Sequence, residues 1–186
     1  MPRTARRLAA LLLASATLVS LAACAPGGRE PMPSPTAAQT DEPIFASDEE
    51  ALAAAVAAYE AYLDTEQRIT QSDDTDSELI RAVTTTEYAD ELIEQYDSIR
   101  QSSLRLEGRG KLDSARLAEH SSDGSVTFVS IYACSDVSGV RVIDQSGSDV
   151  TPQRADRVPV LIEFERQGDE LLLVAGSDKW PGEDFC

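Results

Sequence analysis

Histidine is almost missing from this 186-residue chain: His120 is the only one. Zinc sites draw on sets of His and Cys, and neither a second histidine nor a C-x-x-C pair is present. A Ser-His-Asp hydrolase would have to use His120, yet no G-x-S-x-G elbow accompanies it. His120 closes a strand-like stretch beside Ser121, Ser122 and Asp123. A general base there is one reading, and an exposed turn histidine is the plainer one. Glycine is too sparse in "GRGKLDS" for a phosphate-binding loop, and that stretch leads into a strand rather than a helix. No motif for an organic cofactor or a metal stands out. Asp73, Asp74, Asp76 and Glu78 offer oxygen ligands of the kind calcium takes. Leu79 and Thr85 then stand where a calcium loop starting at Asp74 needs Gly and Glu, so a solvated acidic turn is expected.

Positive charge is scarce as well. Lys and Arg number 16 against 33 Asp and Glu, a net charge of −17, and only Lys111 and Lys179 are lysines. That balance excludes a nucleic-acid partner, which needs a basic surface. It suits solubility instead. After Cys24 no apolar run approaches the roughly 20 residues that span a bilayer.

What is present begins at the N-terminus. Arg3, Arg6 and Arg7 precede a nearly unbroken apolar run from Leu8 to Leu21. Its length and flanks suit the hydrophobic region of an export signal. The residues after Arg6-Arg7 match a twin-arginine signal poorly, which leaves the general secretory route. The run ends Leu21-Ala22-Ala23-Cys24, which resembles the lipobox of bacterial lipoproteins. The resemblance implies a signal peptide over 1–23, cleavage before Cys24, and diacylglyceryl and fatty acyl groups such as palmitate on that cysteine. Two long chains, at about 0.8 kcal/mol per buried CH₂, would anchor the chain to a membrane by something like 20 kcal/mol. The expected location is the outer face of the cytoplasmic membrane.

Residues 24–46 carry Pro26, Pro31, Pro33, Pro35 and Pro43, with Gly, Ser and Thr between them. Such a segment cannot form a helix or bury a core, and is expected to be a disordered, lipid-anchored tether. As a coil it would reach about 25 Å. Loss of residues 1–23 removes three arginines and no acid, so the mature chain is still more acidic than the precursor. The tether would then hold it beyond the roughly 8 Å over which an anionic membrane surface repels it.

Residues 47–186 are long enough to bury about 70% of their unfolded surface in one core. Ser47 and Glu50 form a capping box, followed by Leu52, Val56, Tyr59, Tyr62 and Leu63 at helical spacing, with an end near Arg68. Thr75 with Glu78 and Thr84 with Glu87 suggest two more starts: a short helix through Val83, and one to about Ser103 carrying Tyr88, Leu92, Tyr96 and Ile99. Beyond Gly108 the pattern becomes strand-like: Lys111–His120, Val126–Cys134, Val140–Ile143, Val158–Arg166 and Glu170–Ala175. Asp123-Gly124 and Gly168-Asp169 mark hairpin turns. Helices first and strands after imply an α+β fold, with N-terminal helices on a curved, mainly antiparallel sheet of about five strands.

That order, with its long first helix, resembles the cone-like fold of the nuclear transport factor 2 and ketosteroid isomerase superfamily. "YACSDVSGVRVID" and the closing Trp180 and Cys186 resemble small actinobacterial lipoproteins. The cone resemblance implies a pocket between helices and sheet. Tyr59, Tyr62, Tyr88, Tyr96, Tyr132 and Trp180 are the candidates to line it, although each also suits a core whose hydroxyls reach the rim. With Cys24 lipidated, Cys134 and Cys186 remain, and export permits a disulfide between them. The alternative is one buried and one loose thiol. The expected function is a lipid-anchored extracytoplasmic domain that binds a small ligand or an envelope protein, more a binder than an enzyme. The other reading is a small-molecule lyase or isomerase using the pocket. Two titratable groups converging in the pocket would favour the enzyme.

Overall fold

The Ser47 hydroxyl accepts a hydrogen bond from the Glu50 N–H at 3.2 Å, and Glu50 returns one from the Ala46 N–H at 2.6 Å. Orphan amides are satisfied in this way at the start of α1, Asp48–Thr70. The computed structural model describes residues 45–72, 75–123, 125–167 and 171–186. The export signal, Cys24 and the tether up to residue 44 lie outside these, as do Asp73, Asp74, Gly124 and residues 168–170. None of the helices described is long and apolar enough to cross a membrane.

A short 3-10 helix, Ser77–Ala82, follows α1, and α2 spans Thr86–Gln101. Each begins one residue later than the capping pattern suggests, because Asp76 and Thr85 accept the cap bonds rather than Thr75 and Thr84. Thr84 is buried instead and returns its hydroxyl to the Ile80 carbonyl at 2.9 Å. The chain between the helices is pinned to the sheet edge: the Thr85 N–H donates to the Val174 carbonyl, and the Val174 N–H to that of Val83.

Six strands follow among the described residues: β1 Arg105–Glu107, β2 Lys111–Ser122, β3 Val126–Asp136, β4 Arg141–Ile143, β5 Arg157–Gln167 and β6 Leu173–Lys179. They form two antiparallel sheets, one of four strands in the order β2-β3-β5-β6 and a separate ribbon of β1 with β4. The expectation of about five strands in one sheet is not met: the large sheet has four, because β4 instead pairs with β1, whose three residues are too few for a periodic signal. The fold is α+β, as the element order implies.

The core lies between the helices and one face of the large sheet. On β3 the odd positions Thr127, Val129, Ile131 and Ala133 are buried, while Phe128 on the other face is 50% exposed. Across the register Val129 meets Phe164, Ile131 meets Ile162, and Ala133 meets Val160, all buried. α1 contributes Ala51, Ala55, Tyr59, Tyr62, Leu63 and Ile69, and α2 contributes Ala89, Leu92 and Tyr96.

Candidate functional site

Helical spacing puts Tyr59, Tyr62, Leu63 and Glu66 on the face of α1 that meets the sheet. The first three are buried, and Glu66 opens onto a cleft of about 370 Å³. Its other walls are Leu106 of β1, Gly108 to Gly110 of the β1–β2 link, Ser135 of β3, Val137 and Val140 of the β3–β4 turn, and Arg154 of the β4–β5 loop. The volume falls in the range of small-molecule sites.

A hydroxyl and carboxyl cluster lies along the α1 wall. The Tyr62 hydroxyl donates to Glu66 Oε1 at 3.2 Å, and the Tyr59 hydroxyl lies 3.5 Å from Ser177 Oγ of β6. The rings of Tyr59 and Tyr62 are 5.2 Å apart, and Tyr88 of α2 stacks on Tyr62 at 6.4 Å. Behind them the Tyr96 hydroxyl is buried without a hydrogen-bond partner among the described residues. Burial raises the Glu66 carboxyl above the usual carboxylate range, and the bond from the Tyr62 hydroxyl pulls it part of the way back. Burial also pushes the Tyr88 phenol up to about 12 and raises Tyr59, Tyr62 and Tyr96. All four phenols therefore stay neutral and can donate hydrogen bonds.

Two guanidinium groups edge the cleft in different states. Arg109 Nε donates to Asp64 at 2.7 Å, and its Nη2 pairs with Glu60, so its charge is satisfied by α1. Arg154 Nη2 donates to the Val137 carbonyl at 3.1 Å and the Val140 carbonyl at 2.6 Å. Its Nε is buried with no partner among the described residues. The floor between them is close backbone. Gly108 has φ +98°, and a Cβ there would sit 1.9 Å from the Gly139 carbonyl oxygen, so only glycine fits.

The six aromatic candidates do not form one lining. Tyr59 and Tyr62 line the cleft. Tyr88 and Tyr96 pack behind them, because α2 presents its apolar face to α1 and the sheet edge rather than to the opening. Tyr132 and Trp180 lie across the sheet: Tyr132 follows buried Ile131, and side chains alternate along a strand. There, Tyr132 meets Trp180 at 4.8 Å and Phe185 at 6.5 Å, and Arg116 and Glu183 help form a second, open hollow of about 430 Å³. The disulfide Cys134–Cys186, with Cα atoms 5.7 Å apart, ties the chain end to this outer face. His120 is remote from both hollows in its contacts. It sits within β2, its Nε2 3.1 Å from Asp48 Oδ1, with Phe45 against its ring. Asp76 serves as the cap of the 3-10 helix, and no cluster of three metal-ligating side chains occurs among the described residues.

Glu66 and Arg154 were not legible as site residues. An acid on an otherwise aromatic helix face is a usable signal for Glu66. Arg154 lies in an irregular loop, where spacing carries no information.

No protein-family model matches the chain, and no curated protein sequence does. Among solved structures, the intermembrane space region of the chloroplast protein ARC6 is similar with a TM-score of 0.51 at 11% identity, over 69% of this chain and 95% of that one. A de novo designed β-sheet protein matches with a TM-score of 0.30 at 16% identity, over 74% and 97% of the two chains. The first likeness is one of fold alone.

Proposed function

We propose that this chain is a lipid-anchored extracytoplasmic binding domain whose cleft between α1 and the sheet takes a small ligand. The cleft itself carries the reading: about 370 Å³, walled by Leu63, Leu106, Val137 and Val140, with the hydroxyls of Tyr59 and Tyr62, the Glu66 carboxyl and the guanidinium groups of Arg109 and Arg154 at its edges. A few placed polar groups on an apolar wall are what a small-molecule site requires. The cone-like form of the nuclear transport factor 2 superfamily, which the order of helices and strands resembles, would account for a pocket between helices and sheet. Lipid on Cys24 supplies the membrane partner and the location at the outer face of the cytoplasmic membrane. The acidic surface argues against a nucleic-acid partner.

Binding is tested by amide NMR of the mature lipidated chain in nanodiscs against a small-molecule library. Bound compounds should move the resonances of Gly110, Ser135, Val137 and Val140, and Gly110→Val, which projects toward Leu63, should block them. Shifts confined to other surfaces would refute the assignment. Anchoring is tested separately: Cys24→Ser should stay unprocessed and take up no labelled fatty acid.

The lyase or isomerase reading is favoured by one observation, the raised carboxyl of Glu66 hydrogen-bonded to Tyr62 in the same cleft. A carboxylate tuned toward neutrality suits proton transfer. It requires a substrate whose turnover, but not binding, is lost in Glu66→Gln.

A further inference from the structure

Arg154 is a cation held by backbone carbonyls, with Asp149 feeling its charge but no carboxylate of the described residues in direct ion-pair contact with it. Its Nη2 is clamped between the carbonyls of Val137 and Val140, which fixes the guanidinium against the cleft wall. No carboxylate of the described residues forms an ion pair with it, whereas Arg109 on the same cleft is paired twice. Its buried Nε has no hydrogen-bond partner among the described residues. A buried donor on a charged group is costly to leave unmet, and charge-assisted bonds to such a donor are roughly twice as strong as neutral ones. The surrounding wall is apolar, from Leu106, Val137 and Val140. The chain as a whole is strongly acidic, so a polyanion would be repelled over the approach while a single small charge is tolerated.

We infer that the cleft is selective for small monocarboxylates with an apolar body, the acid seated on Arg154 and the body against Leu106, Val137 and Val140. This rests on the cleft being a binding site. Tyr62 and Glu66, on the α1 wall, then meet a neutral part of the ligand. Burial keeps the Glu66 carboxyl closer to neutrality than an exposed one, so it repels the bound acid less.

The probes are benzoate and phenylacetate, each against its neutral twin, benzamide and phenylacetamide. Binding to the mature lipidated protein in nanodiscs is measured by calorimetry and amide NMR, with empty nanodiscs as the blank. Each acid should bind at least about tenfold tighter than its amide, the scale of one charge-assisted hydrogen bond. Arg154→Gln should abolish that preference while thermal melting and the absence of free thiols show an intact fold. The acid-to-amide ratio of the unaltered protein stands by itself if Arg154→Gln does not fold. If acid and amide bind equally in the cleft, as when water meets Nε, the acid selectivity is refuted and the binding reading survives. If neither moves the resonances of Gly110, Ser135, Val137 and Val140, both are refuted for this ligand class.

Discussion

The two faces of the large sheet are held by different forces. On the inner face Val129, Ile131, Ile162 and Phe164 are closed over by α1 and α2, and stability there comes from burial. The outer face has no helix from the described residues. Phe128 is 50% exposed and Phe185 40% exposed. The chain end crosses this face through Trp180 and Phe185, with the Trp180 N–H donating to the Pro159 carbonyl at 2.9 Å and Cys186 bonded to Cys134. One strand, β3, thus shows both solutions at successive residues. Among the described residues the inner face is closed by packing, and the outer face by a covalent tie to the end segment.

The comparison breaks most visibly from the inside. Phe164→Ala removes a fully buried ring opposite Val129. It should cost about 4 kcal/mol in chemical denaturation, the usual size for such a truncation. A loss below about 1 kcal/mol would mean that the helices do not seal this face.

Opening the outer face should cost somewhat less. The disulfide closes a loop of 52 residues, for which chain entropy sets an upper figure of about 4 kcal/mol, and about 3 kcal/mol is expected for Cys134→Ala with Cys186→Ala. Trp180 fluorescence should shift to the red as the end segment lifts from Tyr132, while the cleft resonances stay in place. Two free thiols in the unreduced mature protein would refute the bond, and movement of the cleft resonances would show that the faces are coupled.

The smallest effect sharpens the inner face alone. The raised Glu66 carboxyl means that the folded state holds this proton to higher pH than the unfolded chain does. Stability is therefore lost as pH rises from the ordinary carboxylate range through the folded value, and is regained on acidification. Glu66→Gln keeps an acceptor for Tyr62 and removes the charge. It should raise Tm at pH 7.5 and leave it nearly unchanged at pH 4.5. An equal change at both values would show that charge burial is not what Glu66 adds.

Much of this was readable from residue order. The Ser47 cap, the amphipathic run of α1 and the apolar run of β3 are local patterns, and local patterns survive without knowledge of partners. Cap positions near Thr75 and Thr84 missed by one residue because neighbouring Asp76 and Thr85 compete for the same amides. β1 was missed because it exists only by pairing Arg105, Leu106 and Glu107 with Ile143, Val142 and Arg141, far along the chain. The aromatic residues were visible as a set, but their division between two faces depends on which face of each element turns inward.

By itself, the sequence determined the α+β class of fold and the acidic balance of charge. These follow from composition and short-range periodicity, which act through neighbours along the chain. Only the tertiary structure decided that Glu66 and Arg154 share a cleft, that Tyr132 and Trp180 lie away from it, and that Arg109 pairs with two carboxylates while Arg154 rests on backbone carbonyls. Residues 66 and 154 line one cleft because α1 and the β4–β5 loop both border it. Burial, desolvation and the pairing of charges depend on distances in space, which spacing along a chain does not contain.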